Sequence, residues 1–527
     1  MTDFDAAEDE QPAVTGAHDV DSEQEQVEDR VRAAVVIVHG MGEQRPLDTL
    51  RSFVQTALTP LDGGWRYYYS RPATVTRSYE ARRYIARQLN GQAGQVQTEI
   101  FEYHWSYMMT GNRLSDLFAS TTRLLVRRVR HVPPELFGIW RIAWAAIALI
   151  PVLLLVGYLM NRALPGWLTA ILSSAVVIGV VTLAAKSMGN WITGSFVDVV
   201  RYLDTSPRSY SARRKIRGGL VDLLRSLHDT ERYTRIVVVA HSLGAYIGYD
   251  AMSSLWTDLH QIHSGPPGPL PNGGKRIPLD GLAALQQAAD DVLDSAAIQD
   301  SSNPTKELND RVDRFRNCQF DLWKGLRSQG NPWRITDFVT VGTPMYLADI
   351  LLTRPGLFSA LRGQVPTAAR EEFDAMTRRG ELVRCPPRSE TQPVENMIEP
   401  TTMKYGWRYG TRQVLGSQSL FAVVRWTNMW FPVTKGSVRG DFFGGPLRPL
   451  FGPGIRDIPV TGNVKGRQVR WGRAHTRYFG YPSAIGDHDI ATHIRRALNL
   501  DDRNYLVDAL EPDPNTSMTP PSPGPYE

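Results

Sequence analysis

The chain has 527 residues, 42% hydrophobic and 21% charged, enough to bury a core as one large domain or two to three smaller ones. A net charge of +5 is small for this length, and the basic residues follow no RNA-motif or zinc-finger pattern, which argues against a nucleic-acid partner. Two cysteines, Cys318 and Cys385, give no disulfide framework, and no Cys/His cluster has zinc-site spacing.

Residues 1–30 are acidic and poor in apolar side chains (Asp3, Asp5, Glu8, Asp9, Glu10, then Glu23, Glu25, Glu28, Asp29) and read as a disordered tail. They have neither the basic start nor the apolar stretch of a secretory signal. Ala33–Val38 is a β-branched run typical of a buried parallel strand. It stops at a turn of mostly small residues, His39-Gly40-Met41-Gly42. Thr98–Tyr103 reads as another strand and brings His104 and Trp105 to the end of the sheet.

Two charge-free apolar runs follow, Ile142–Met160 and Trp167–Ala185, separated by Asn161, Arg162 and Pro165. Each has about 19 residues, close to the roughly 20 that cross a bilayer as a helix. Trp140, Trp144, Tyr158, Trp167 and Trp191 sit near their ends, as in interfacial belts. Arg123, Arg127, Arg128, Arg130 and Arg141 precede them and Lys186 follows, which puts both flanks in the cytoplasm. The expectation is a two-helix membrane hairpin at 139–186, with the chain on either side free to build one domain. The alternative is a pair of buried core helices.

Arg213, Arg214, Lys215 and Arg217 lead into a helical pattern through Leu220, Val221, Leu223, Leu224 and Leu227. The apolar positions are expected to pack on the sheet, and the charge run reads as a solvated face rather than a lipid-headgroup contact. Ile236–Ala240 is a second buried strand, ending at His241-Ser242-Leu243-Gly244-Ala245 before a helix through Tyr246, Ile247, Tyr249 and Met252. Strand, sharp turn and helix lift a serine hydroxyl clear of the sheet at a helix N-terminus. The plainer reading is a serine capping that helix. Gly265–Pro278, rich in Pro and Gly, reads as a surface loop within an insertion at 260–315.

Phe338–Val341 is a strand ending in Gly342-Thr343-Pro344, and Leu420–Trp426 reads as the next apolar strand. Downstream lie Gly440-Asp441-Phe442-Phe443-Gly444-Gly445 and Gly472-Arg473-Ala474-His475-Thr476-Arg477-Tyr478-Phe479. Asp489–Leu498 is the expected last helix, and the Pro-rich 511–527 a disordered tail.

Three of these segments, His39–Gly42, Ala240–Gly244 and Phe338–Pro344, resemble the lipase/serine-esterase-like branch of the α/β-hydrolase superfamily. Alanine stands where the usual Gly-x-Ser-x-Gly begins with glycine. The segment around His475 is similar to the His-x-x-Tyr loop of lipase-like members. The resemblance runs from about residue 33 to 500. It implies an α/β fold, a mostly parallel central sheet flanked by helices over 31–510, interrupted at 139–186 and 260–315. It implies Ser242 as nucleophile, and the backbone N–H groups of Met41 and Leu243 as oxyanion hole. The family's chain order, nucleophile, acid, histidine, implies Asp441 as acid and His475 as base. Asp349 is the rival acid, and Asp337 lies at the wrong end of its strand. His39 is expected to hold the oxyanion turn, and His241 to point away from the nucleophile.

The expected function is that of a membrane-anchored serine hydrolase on the cytoplasmic side, cleaving a carboxylic ester of a lipid or other apolar acyl substrate. Its chemistry requires no metal or organic cofactor. Amidase, thioesterase or acyltransferase chemistry would use the same residues. A reading from another class is an inactive hydrolase fold serving as membrane scaffold or lipid-binding module.

Overall fold

The computed structural model describes residues 32–40, 47–57, 66–72, 75, 82–88, 97–109, 132–163, 199, 201–203, 207–259, 279–298, 305–328, 331–352, 365–387, 406–409, 412–433, 440–460, 463–464, 467–468, 474–479 and 488–500. Its centre is one eight-stranded sheet built from β1 (Arg32–Val38), β2 (Arg66–Pro72), β3 (Arg82–Gln88), β4 (Gln97–Tyr103), β5 (Arg235–His241), β6 (Ile335–Val341), β7 (Arg425–Trp430) and β8 (Arg456–Pro459). The spatial order is β8-β7-β6-β5-β1-β4-β3-β2. The six strands from β8 to β4 are all parallel, and β3 and β2 extend the edge antiparallel.

The helices are α1 (Asp48–Ala57), α2 (Phe137–Ala163), α3 (Pro207–Asp229), α4 (Gly244–Leu259), α5 (Leu279–Ile298), α6 (Lys306–Ser328), α7 (Ala348–Leu352), α8 (Val365–Arg378), α9 (Arg448–Phe451) and α10 (His488–Leu498). The molecule is thus an α/β protein with a mostly parallel sheet and flanking helices.

Every residue of β1, β5 and β6 is buried, because helices cover both faces of a parallel sheet. That is why β1 and β5 read as unbroken aliphatic runs. β6 carries polar residues, and each is partnered. Asp337 takes Arg235 at 2.6 Å and Arg425 at 2.7 Å, and Thr340 donates to Asn428 Oδ1 at 3.0 Å. Burial opposes the Asp337 charge, but the two guanidiniums outweigh it and hold the carboxyl well below its usual range.

The strand expected at Leu420–Trp426 starts only at Arg425. Leu420–Ala422 is a 3-10 turn. The Gln319 side-chain amide on α6 donates to the buried carbonyls of Phe421 (2.6 Å) and Val424 (2.9 Å). Arg316, one turn earlier, holds the Trp426 carbonyl at 2.8 Å and Thr427 Oγ1 at 2.9 Å. The insertion expected at 260–315 therefore runs into a helix that belongs to the core, with Phe315, Leu322 and Trp323 buried. The loop at 265–278 lies outside the described residues.

The crossing hairpin at 139–186 is without support. Among the described residues no helix is long and apolar enough to cross a membrane. Its first run lies in α2, with Pro151 inside the helix, and the second, Trp167–Ala185, falls outside the described residues. The base of α2 joins the core through Val132 and Leu136, with Phe137 and Trp140 packed against it. On α3, Ile216, Leu220, Leu223, Leu224 and Leu227 are buried, as the helical spacing predicts. Arg213 in its basic run pairs with Asp250 of α4 at 2.6 Å and lies over the Tyr202 ring.

Candidate active site

The site forms at the carboxyl ends of the central parallel strands. β5 ends at His241, and Ser242 follows with φ of 55°, a left-handed conformation that costs a serine about 1 kcal/mol or more. The turn is fixed by Ser242 N–H donating to the Val341 carbonyl (3.0 Å) and Ala245 N–H donating to the Ser242 carbonyl (3.1 Å). Close packing beside it leaves no room for a Cβ at either of two glycines. A Cβ on Gly244 would lie 2.3 Å from the Val38 carbonyl oxygen, and one on Gly40 would lie 2.9 Å from Ser242 Cβ. The small residues of both turns thus let the end of β1 and the start of α4 meet at the serine.

His475 reaches the serine from far along the chain. Its Nε2 lies 2.8 Å from Ser242 Oγ, and its Nδ1 lies 3.0 Å from Asp441 Oδ2. All three residues are buried, Ser242 and Asp441 completely. The structure therefore brings together Ser242, His475 and Asp441. Asp349, on α7, is not the carboxylate beside the histidine.

Asp441 stands in the turn after β7. Its N–H donates to the Phe431 carbonyl at 2.9 Å, and its Oδ1 accepts the Phe443 N–H at 2.9 Å. It is thus a turn-capping aspartate and a histidine partner at once, one oxygen serving each role. Oδ2 also accepts the Tyr478 hydroxyl at 2.8 Å.

Two further histidines brace the site. His39 Nε2 accepts the Trp105 N–H at 3.2 Å, so the ring proton is on Nδ1, which donates to the Gly40 carbonyl at 2.8 Å. Trp105 returns a bond from Nε1 to the His39 carbonyl at 3.0 Å, and the rings stack. Burial pushes the His39 imidazole down to about 3, so it stays neutral. This bracket ties the end of β1. Just before α1, Leu47 N–H donates to Glu102 Oε2 at 2.7 Å. Burial pushes Glu102 up to about 7, against the opposing effect of that bond.

His241 does not turn idle. It bonds through Nε2 to the carbonyl of His475 at 2.8 Å, and the two rings lie 4.8 Å apart. Burial first, then the neighbouring His475, hold it well below its usual range, so the neutral ring donates the bond. Chain position showed His241 only as the serine's neighbour. Its contact with a carbonyl 234 residues away leaves no local mark.

Met41, the expected first oxyanion donor, lies outside the described residues. Leu243 is buried, and its carbonyl accepts the Ile247 N–H at 3.2 Å, so its own N–H sits in the first turn of α4, at the positive end of the helix dipole. Among the described residues no group of His, Cys, Asp and Glu is arranged to hold a metal ion. Chemically, the constellation offers a hydroxyl beside an imidazole whose far side rests on a buried carboxylate. No protein-family model matches the chain, and neither a curated protein nor a solved structure is found similar to it.

Proposed function

We propose that the protein is a serine hydrolase of the α/β-hydrolase type, acting on a carboxylic ester of a lipid or other apolar acyl group. The observation that carries this reading is the continuous path Ser242 Oγ–His475 Nε2, His475 Nδ1–Asp441 Oδ2, at 2.8 and 3.0 Å. In the proposed reaction His475 takes the hydroxyl proton as Ser242 attacks the acyl carbonyl. The Leu243 N–H, with that of Met41, stabilises the oxyanion. His475 then returns the proton to the leaving alcohol, and the acyl-serine is released by water activated by the same ring. Asp441 holds the proton on Nδ1 and offsets the charge on the imidazolium. Burial strengthens each of these interactions, because little water screens them.

The apolar substrate class and the site's location at a bilayer, on its cytoplasmic side, are the second part of the proposal. Their support is α2. Trp144, Ile147, Leu149, Val152, Leu155 and Leu159 are all exposed. At 100° per residue they span roughly 200° of the helix circumference, more than one packed neighbour covers. Arg141 in its second turn, and the arginines of 123–130 that precede it in the sequence, suit anionic headgroups. Such a helix can lie within one leaflet without crossing it.

The test is fluorophosphonate labelling of the detergent-solubilised protein beside its Ser242→Ala variant. Labelling that disappears in the variant is expected. A folded wild type that does not react would favour an inactive scaffold or lipid-binding module. Flotation with vesicles, with Leu155→Glu and Leu159→Glu as controls, tests the location separately. A wild type that stays with the soluble fraction would remove the bilayer from the proposal.

A further inference from the structure

Tyr478 has no role in the reaction as described so far. It is fully buried, and its hydroxyl makes two bonds. It accepts the Phe431 N–H at 3.0 Å and donates to Asp441 Oδ2 at 2.8 Å. That oxygen is the one facing His475 Nδ1. The ring lies flat on Phe431, with centroids 4.3 Å apart. The bonding direction is unambiguous: a backbone N–H can only donate, so the hydroxyl proton is left for the carboxylate.

The surrounding backbone is cut to admit this contact. Gly342, the glycine of the Gly-Thr-Pro turn, has φ of 55°. A Cβ there would lie 2.3 Å from Tyr478 Cε2 and 2.9 Å from Asp441 Oδ2. A Cβ on Gly444 would lie 3.1 Å from the Tyr478 hydroxyl oxygen. Two glycines from separate turns thus leave open the space in which tyrosine and aspartate meet.

We propose that Tyr478 is a positioning residue for the hydrolase reaction: its hydroxyl fixes Asp441 Oδ2 and shares that oxygen's negative charge with His475. The inference rests on the serine-hydrolase reading. A donor on Oδ2 draws charge toward itself, so less of it stabilises the protonated imidazole. Among the described residues, Tyr478 and His475 are faced by Asp441 and Phe443 from the turn after β7, His241 from β5 and Ser242 from the start of α4, and the Tyr346 hydroxyl, bonded to the Phe442 carbonyl, also feels the Asp441 charge. Asp441 is the one carboxylate in this set, and burial together with its charge pushes the Tyr478 hydroxyl well up, so it stays a donor at ordinary pH.

The experiment is the rate of fluorophosphonate inactivation against pH, for wild type, Tyr478→Phe, and a protein with 3-fluorotyrosine at position 478. Tyr478→Phe removes the donor. The acidic limb of its profile should move to higher pH, and the plateau rate should fall by about tenfold as the freed carboxylate loses its place. Fluorotyrosine, a stronger donor of nearly the same shape, should move the limb to lower pH. This second protein keeps the test open if Tyr478→Phe does not fold. Limbs that coincide with wild type would overturn the proposal and leave Tyr478 a packing residue. A wild type that labels at no pH would overturn the hydrolase reading and this inference together, so the two failures are distinguishable.

Discussion

Two buried aspartates at opposite ends of the sheet invite comparison. Asp337, at the amino end of β6, is held by Arg235 and Arg425, both within 2.7 Å. Asp441, at the carboxyl end, is held by neutral donors, Phe443 N–H and Tyr478 hydroxyl. The first carboxylate lies between two cations. The second has an imidazole beside it instead, with Nδ1 of His475 at 3.0 Å. Burial is nearly the same at both positions, so burial does not separate the two environments, whereas the charge of the donors does. Under the proposed reaction only the second carboxylate takes part in the chemistry.

The sharpest way to break this contrast is to neutralise each carboxylate in turn. Asp441→Asn should lower the fluorophosphonate inactivation rate by about 10³- to 10⁴-fold, because the amide favours the wrong histidine tautomer. Its loss of stability should be the smaller of the two, since an amide oxygen still caps the Phe443 N–H and only the neutral Tyr478 hydroxyl loses its acceptor. Asp337→Asn should do the reverse. It leaves two buried guanidiniums without their counter-charge, a loss of about 3–5 kcal/mol by denaturant titration. Inactivation per folded molecule should be unchanged. Equal activity loss in both variants would end the distinction.

A smaller effect is expected at His241. His241→Phe removes the donor to the His475 carbonyl while keeping an aromatic ring between Tyr478 and Phe479. We expect about a tenfold drop in inactivation rate from a base held less firmly. An unchanged rate would show that the loop carrying His475 is held without this bond.

What the sequence disclosed follows the same division. β1 and β5 were legible because a strand buried on both faces is mostly apolar, as their aliphatic runs are. Ser242 stood out at the abrupt end of such a run, whereas Asp441 and His475 were singled out only through the resemblance, whose chain order places an acid and then a histidine after the serine; the structure brings the three side chains into contact. The bracing contacts were not legible. Tyr478–Asp441, His241–His475 and Gln319–Phe421 link residues 37, 234 and 102 positions apart, and no local pattern encodes the partner. α6 was not read from the sequence beyond the insertion expected at 260–315, and nothing local marks that its Arg316 and Gln319 face inward to bond core carbonyls. Leu420–Val424 misled for the complementary reason: an apolar run reports burial, and a buried 3-10 turn is as apolar as a strand.

The smallest predicted effect concerns His39, at the end of β1, and Glu102, which holds the Leu47 N–H just before α1. Both groups are buried, but their pH dependences have opposite sign. Glu102 is raised from 4.5 to about 7, so the folded protein holds its proton more tightly than the unfolded chain. The stability it contributes is present below about pH 4.5 and is lost as pH rises through 7. His39 is lowered from 6.5 to about 3, so its contribution is present above about pH 6.5 and is lost as pH falls toward 3. Between pH 4.5 and 6.5 the two oppose each other, and the melting temperature of the wild type alone does not separate them. Glu102→Gln keeps an acceptor for the Leu47 N–H and removes one titration. Its melting temperature should gain on wild type by about 1–3 °C between pH 5 and pH 8. A difference that is flat with pH would mean that Glu102 carries the same charge folded and unfolded, and that the Leu47 N–H is not held by a protonatable group.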